Sequence, residues 1–358
     1  MDHYKLVISD FHIGTGLLAE DGTLNPLEYF IFDPRLIAFL DYYSSGPYKN
    51  TDVELILNGD FLNTLQVDFQ ESFPTEISEE LAINKVRKIV DGHPEVFDAL
   101  RRFTATPHHR ITYIAGNHDP GVLWPGVRNE LNRLLETEIY FPGFNYTFDG
   151  IWIEHGHQYH PSNRFDTGNL FKKNKSGEVI LNLPWGCLWV IEFLNQVKKE
   201  RVFIDRVQPF RRYLLLGLVF DPLFGFPAIT RLTLHFLRDR FRFKNLTDPV
   251  ERRRSMQILR YLRVVPNLEY SARKILARPG YHSVIFAHNH QAAYRRFGKE
   301  KLYVNTGTWN DIIHLDIQNL GRQRRMTYAF IDYPDKKRPR VKLKLWKGTQ
   351  LVEEDVIF

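Results

Sequence analysis

Six short apolar, β-branched runs punctuate the chain, and each ends abruptly in polar residues. K-L-V-I-S (5–9) leads into Asp10 and His12, E-L-I-L-N (54–58) into Gly59 and Asp60, and I-T-Y-I-A (111–115) into Gly116, Asn117 and His118. I-W-I-E (151–154) leads into His155, S-V-I-F-A (283–287) into His288 and His290, and K-L-Y-V-N (301–305) into T-G-T-W. Continuous runs of this length predict buried strands. Between the first three, apolar residues recur at spacings of three and four. This predicts helices over Pro34 to Tyr43, Ser78 to Val90 and Pro94 to Phe103. Alternating strand and helix predict an α/β fold, in which ligands gather at the carboxyl ends of strands. Here that end carries acidic, amide or imidazole side chains five times.

The rhythm breaks between residues 164 and 280. Long apolar and aromatic stretches appear there, L-P-W-G-C-L-W-V-I-E-F-L (183–194) and Y-L-L-L-G-L-V-F-D-P-L-F-G-F-P (213–227), followed by R-L-T-L-H-F-L-R-D-R-F-R-F-K (231–244). This predicts a mostly helical insertion over 164–280, dividing a catalytic domain into 1–163 and 281–358. Alternating patterns at 328–333 and 340–346 predict a closing β-hairpin.

Charge separates the same two regions. Residues 164–280 carry 23 Lys and Arg against 10 Asp and Glu, whereas the remainder carries 25 against 32, so the overall +6 conceals a basic middle in an acidic frame. Such a middle suits a surface that meets phosphates or anionic lipid. With 43% hydrophobic and 25% charged residues the composition is that of a globular protein. A single cysteine, Cys187, excludes an internal disulfide and suits a reducing compartment. No signal peptide precedes the first strand, and no stretch reaches the roughly 20 apolar residues of a membrane span. The expectation is a cytoplasmic protein, at most peripheral to a membrane.

Carboxylates, imidazoles and one amide oxygen suit divalent first-row metals. There is no thiolate among them and there are too many ligands for one tetrahedral site, which argues against structural zinc. They are enough for two adjacent ions, which hold and activate a hydroxide and stabilise an in-line displacement at phosphorus. Taken in order, D-x-H (Asp10, His12), G-D (Asp60), G-N-H-D (Asn117, His118, Asp119), H-G-H (His155, His157), H-x-H (His288, His290) and N-T-G-T-W resemble the calcineurin-like metallophosphoesterase superfamily. The resemblance covers residues 5–160 and about 283–315. It implies a two-sheet β-sandwich flanked by helices, carrying two divalent ions, with Mn expected and Fe, Zn or Co as alternatives. It also implies that Asp10, His12, Asp60 and His290 hold the first ion, that Asp60 bridges to the second, and that Asn117, His155 and His288 complete the second. His118 would face the phosphate as the catalytic acid or oxyanion donor.

Two positions depart from branches of that family. The protein-phosphatase branch places an acid where this chain has Asn63. The branch that hydrolyses UDP-diacylglucosamine also carries an inserted helical cap, but has Arg where this chain has His118 and Asp where His157 follows H-G. Asn63, Asp119, His157, His160 and Arg164 are candidate substrate contacts or supports for the ligands. The reading is a phosphomonoesterase or pyrophosphatase acting on a phosphorylated substrate, with amphiphilic or lipid-linked substrates among the candidates. A nuclease or nucleotide phosphodiesterase on the same site, and a non-catalytic scaffold, are the alternatives. Residues 183–244 would contact membrane lipid, pack as a helical subdomain or bind nucleic acid, the last disfavoured by the long apolar runs.

Overall fold

The computed structural model describes residues 2–19, 21–242, 267–315, 320–334, 338–348 and 354–355. The apolar runs become two facing sheets. The first has strand order β17-β16-β15-β1-β2-β3-β4. Its strands are β1 (His3–Ile8), β2 (Asp52–Asn58), β3 (His109–Ile114), β4 (Tyr140–Gly143), β15 (Thr327–Asp332), β16 (Arg340–Leu345) and β17 (Glu354–Asp355). The second has order β11-β12-β10-β6-β5. It contains β5 (Asn145–Phe148), β6 (Ile151–Glu154), β10 (Ser283–Phe286), β11 (Ala293–Phe297) and β12 (Lys301–Asn305). β1 to β4 run parallel, as do β6, β10 and β12, so the polar residues that end each run emerge on one side. Two small sheets lie outside the sandwich: β7 (Phe171–Lys173) with β8 (Val179–Leu181), and β9 (Val207–Gln208) with β13 (Ile312–His314) and β14 (Gly321–Gln323).

Period-two alternation explains the layers. Val7, Ile56 and Ile114 face inward with Ala329 and Ile331, and meet Ile151, Ile153, Ile285 and Val304 of the second sheet in a wholly aliphatic seam. Their neighbours Leu6, Ile8, Leu55, Leu57 and Ile111 face outward. There they pack under helices α1 (Asp33–Tyr43), α2 (Glu79–Gly92), α3 (Pro94–Ala105) and α4 (Pro125–Leu135). α2 starts where the Ser78 hydroxyl accepts from the Leu81 N–H, with Glu79 and Glu80 in the first turn, a favourable arrangement of cap and dipole. The outer face of the second sheet is covered by Leu268, Ala272, Ile275 and Leu276, which share one core cluster with Val284, Phe286 and Tyr303. The architecture is helix, sheet, sheet, helix.

Residues 165–228 have no core of their own. Phe165, Leu181, Cys187, Val190, Ile191, Leu194, Val197 and Ile204 are buried in the same cluster as the helices over the first sheet. This segment holds α5 (Trp185–Trp189), a π-helical turn (Val190–Leu194), α6 (Asn195–Glu200), α7 (Phe210–Phe220) and the first turns of α8 (Pro222–Arg242). Its tie to the sandwich is polar as well. Lys198 is fully buried, with Nζ 2.6 Å from Asp205 and donating to Leu27 O at 3.0 Å and Gln66 Oε1 at 3.3 Å. At the other end of the predicted insertion, α9 (Leu268–Leu276) belongs to the second sheet. Residues 243–266 of that insertion lie outside the described residues.

α7 and α8 form a tight hairpin. Gly225 seats against Gly217, where an added Cβ would lie 2.4 Å from the Gly217 carbonyl carbon. Leu214, Phe224 and Ala228 are buried on its inner side. Among the described residues no helix is long and apolar enough to cross a membrane.

Candidate metal centre

Parallel pairing continues past the strands and fixes the loops that follow. The Asp10 N–H donates to Gly59 O at 3.2 Å and the His12 N–H to Asp60 O at 2.9 Å. The His118 N–H donates to Asp60 Oδ1 at 2.7 Å, and the His288 N–H to Asp10 Oδ2 at 3.2 Å. Five of the candidate ligands have left-handed backbones: Asp10 (φ 53°), His12 (53°), Asp60 (52°), His288 (72°) and His290 (61°). Non-glycine residues persist in this region only when their surroundings hold them there, and such residues cluster at functional sites. Close approach also dictates the preceding glycines. A Cβ on Gly59 would lie 2.6 Å from the His155 ring, and one on Gly116 would lie 2.2 Å from Asp60 Oδ1.

The side chains converge. Asp10, His12 and His290 offer atoms all within 4.8 Å of one another, as do Asp60, His155 and His288. Asp60 also groups with His12 and His118 in this way, so it stands between the two sets. His12 Nε2 lies 3.1 Å from His290 Nε2 and 3.8 Å from Asp60 Oδ2. His155 Nε2 lies 3.1 Å from Asp60 Oδ2 and 3.9 Å from Asp10 Oδ1.

These residues fit a divalent cation. His155 Nδ1–H donates to the Asn58 carbonyl at 2.9 Å, which fixes the tautomer and turns the Nε2 lone pair toward the carboxylates. Asp10 Oδ1, Asn117 Oδ1 and His155 Nε2 are buried without a hydrogen bond of acceptable geometry. Buried polar atoms are normally paired, and a cation among these acceptors satisfies all of them together. Electrostatics agree. Burial would lower the His155 imidazole, but Asp60 and Asp10 outweigh it and raise it to about 10. Burial would raise Asp60, yet His155 and His118 hold it well below the usual carboxylate range. The site favours positive charge beside the Asp60 carboxylate, and its oxygen and nitrogen donors suit a first-row divalent ion.

His118 stands edge-on to His12, with ring centres 4.5 Å apart. Asn63 Oδ1 lies 3.0 Å from its Nδ1, Asn63 Nδ2 donates to Gln66 Oε1 at 2.6 Å, and Gln66 Nε2 donates to Asn195 Oδ1 at 3.0 Å. The departure at Asn63 is therefore part of a buried amide relay running from the G-N-H-D loop into α6. Asn63 accepts the Nδ1 proton.

The remaining candidates are spread around this centre. Asp119 is fully buried and accepts from the Gly116 N–H, the Phe61 N–H and the Tyr113 hydroxyl, bracing the loop. His157 is fully buried between His155, Phe144 and Phe165, and neither of its ring nitrogens has a partner among the described residues. His160 Nδ1 lies 3.1 Å from His288 Nε2 and 3.2 Å from Asn163 Nδ2. Arg164 is exposed. The sequence reading passed over four supports. Asn58 orients His155, Asn163 reaches His160, and Cys187 Sγ lies 3.2 Å from Asn117 O. The fourth is Glu28, whose carboxylate takes the Gly14 N–H at 3.1 Å and the Gly16 N–H at 2.7 Å just beyond His12, and which is braced by His93 at 3.3 Å. Only Asn58 carried a signal, as the polar residue closing a strand.

No family model and no curated protein sequence matches the chain. Among solved structures it is similar to an uncharacterised protein of Streptococcus pneumoniae described as a predicted phosphoesterase (10% identity over 99% of this chain and 98% of that one, TM-score 0.32). It is also similar to Vps29 of Entamoeba histolytica complexed with Zn²⁺ (10% identity, 99% and 98% covered, TM-score 0.34). A third is a dimetal phosphatase of Danio rerio (10% identity, 99% and 98% covered, TM-score 0.36). The order of the strand-end motifs and the two-sheet sandwich seen here resemble those of the calcineurin-like metallophosphoesterases.

Proposed function

We propose that the chain is a metal-dependent phosphoesterase that hydrolyses a phosphomonoester or pyrophosphate bond at a dinuclear centre. The observation that supports this reading is the pair of ligand sets, Asp10–His12–His290 and Asp60–His155–His288, that meet at Asp60 with His118 beside it. Asp10, His12, Asp60 and His290 hold one divalent ion, manganese first among the alternatives. Asn117, His155 and His288 hold the other, with Asp60 shared. When bound, the ions supply an activated water and stabilise charge at phosphorus. His118 presents Nε2 to the phosphoryl oxygens, held by Asn63 through Nδ1. As the imidazolium, with Nδ1–H on Asn63, it would hydrogen-bond the developing charge through Nε2–H and deliver that proton to the leaving oxygen. An amide does not offset imidazolium charge as a carboxylate does, so hydrogen bonding is the larger part of that role. His160 and Asn163, beside His288, contact the substrate.

An amphiphilic substrate is favoured by what stands next to the centre. Gln291, adjacent to His290, donates to Gln208 Oε1 at 3.3 Å, and α7 begins two residues later. The apolar hairpin is thus rooted at the rim of the ligand cluster.

Metal analysis of the purified protein, with Mn²⁺-supplemented hydrolysis of p-nitrophenyl phosphate and its bis ester, tests the reading. Close to two ions per chain and turnover of either ester are expected. His118→Ala should keep its metal and lose at least about 100-fold in turnover. A chain that binds no metal, or a His118→Ala variant with undiminished turnover, would overturn the proposal or this role respectively.

A further inference from the structure

The α7–α8 hairpin exposes what a folded chain ordinarily buries. Of the 17 exposed large hydrophobic residues among the described residues, nine fall between Val202 and Leu234, although that window is about a tenth of the chain. They concentrate at the turn of the hairpin, where Val219 is 71% exposed, Phe220 80%, Leu223 90% and Phe226 62%. Charge is nearly absent there. From Tyr213 to Thr230 the only ionisable side chains are Tyr213 and Asp221, and Asp221 is paired with Arg201 at 2.7 Å. Exposed patches of this kind mark interaction sites.

The polarity along the hairpin indicates the partner. Protein interfaces surround an apolar centre with a polar rim and about one hydrogen bond per 100–200 Å². This tip offers almost no groups to make them, which suits hydrocarbon. Further back the helices turn basic. Arg212 and Arg231 are exposed, and each stands eight residues from the tip, from Phe220 and Leu223 respectively. At ~1.5 Å per residue that is about 12 Å along the axis, close to the depth of about 5–10 Å reached by interfacial apolar faces. Apolar at the tip and basic behind it is the order in which a bilayer presents acyl chains and anionic headgroups.

We propose that this hairpin tip inserts into the interfacial layer of an anionic lipid bilayer, with Phe220, Leu223 and Phe226 among the acyl chains and Arg212 and Arg231 at the level of the lipid phosphates. The close packing of Gly217 on Gly225 keeps the wedge narrow and rigid. The inference stands on the hairpin alone and does not depend on the phosphoesterase reading.

Co-sedimentation of the full chain with phosphatidylcholine vesicles, with and without one quarter phosphatidylglycerol, is the direct test. The protein is expected to pellet with the anionic vesicles and to partition at least tenfold less onto phosphatidylcholine alone. The triple variant Phe220→Ser, Leu223→Ser, Phe226→Ser should lose at least tenfold in partitioning with an unchanged thermal midpoint. Leu223→Ser alone, at the most exposed position, should lose a measurable part of it. Arg212→Ala with Arg231→Ala should erase the preference for anionic vesicles. Failure of the parent chain to pellet, or undiminished pelleting of the triple variant, overturns the proposal. So does a parent chain that is dimeric by light scattering, does not pellet, and becomes monomeric in the triple variant, which would assign the face to a second copy.

Discussion

The metal centre and the hairpin tip invert the ordinary distribution of residues in opposite senses. At the strand ends Asp10, Asp60 and His155 are at most 1% exposed, although carboxylates and imidazoles belong in water. At the tip Phe220 and Leu223 are 80% and 90% exposed, although they belong in the core. Neither arrangement is explained by stability of the isolated chain. Buried carboxylates cost desolvation that only a partner charge offsets, and exposed phenylalanine and leucine forgo burial worth about 1.5–3 kcal/mol each. The two regions are also built differently. The centre is over-determined, with backbone ties, strained ligands and glycines that admit no Cβ. The tip touches little and can be altered freely. One region demands a ligand to complete it, whereas the other demands a surface to cover it.

Four experiments break or sharpen this contrast. The largest effect is expected at Asp60, which groups with His12 as well as with His155 and His288. Asp60→Asn should remove at least one ion per chain and lower turnover by more than about 10³-fold, since even outer-shell partners of metal ligands are worth about 10–100-fold. Elemental analysis and ester hydrolysis report it, and retention of both ions would detach Asp60 from its bridging place. Next comes Lys198, which locks α6 against the sandwich from a fully buried position. Lys198→Ala strands Asp205 and should cost about 3–5 kcal/mol, read from the urea midpoint. If the loss were under about 1 kcal/mol, residues 165–228 would not be bound to the sandwich as tightly as their packing implies.

A smaller effect should follow pH through the brace beyond His12. His93 is 3% exposed, 2.7 Å from Asp33 and 3.3 Å from Glu28. Burial would lower its pKa, but the two carboxylates outweigh burial and raise it to about 9. The folded-state value lies above the unfolded value of about 6.5. The brace therefore contributes fully below about pH 6.5, and its contribution is lost as pH rises through about 9. The difference is on the order of 3 kcal/mol. Thermal midpoints measured from pH 6 to 9.5 should fall for the parent chain relative to His93→Gln, and parallel curves would show that His93 is neutral in the fold. The smallest effect belongs to the tip. Leu223→Ser should change stability by no more than about 0.5 kcal/mol, and a larger loss would mean that the described chain already covers this face.

Much of the sandwich was legible because its strands are parallel and buried on both faces, so each reads as an unbroken apolar run. The helices expected at Ser78 to Val90 and Pro94 to Phe103 are seen at Glu79–Gly92 and Pro94–Ala105. The closing hairpin expected at 328–333 and 340–346 is seen as Thr327–Asp332 and Arg340–Leu345. Its place beside β1 was not legible, because pairing partners are chosen by tertiary packing. The shared core of residues 165–228 was hidden for a similar reason. L-P-W-G-C-L-W-V-I-E-F-L is apolar whether it packs on itself or on the sandwich. The candidate ligands announced themselves by type and order. Their supports did not, since Glu28 and His93, or Gln66 and Asn195, meet across 65 and 129 positions of unrelated sequence.

The centre is closed by the His288 N–H on Asp10 Oδ2, two residues 278 positions apart. At roughly 5–20 residues per second, a ribosome needs about 15–55 s to join them. Through that interval Asp10, His12, Asp60, Asn117 and His155 emerge without His288 and His290. A chain stalled before β10 would carry an acidic, histidine-rich rim without the two residues that close it, His288 and His290.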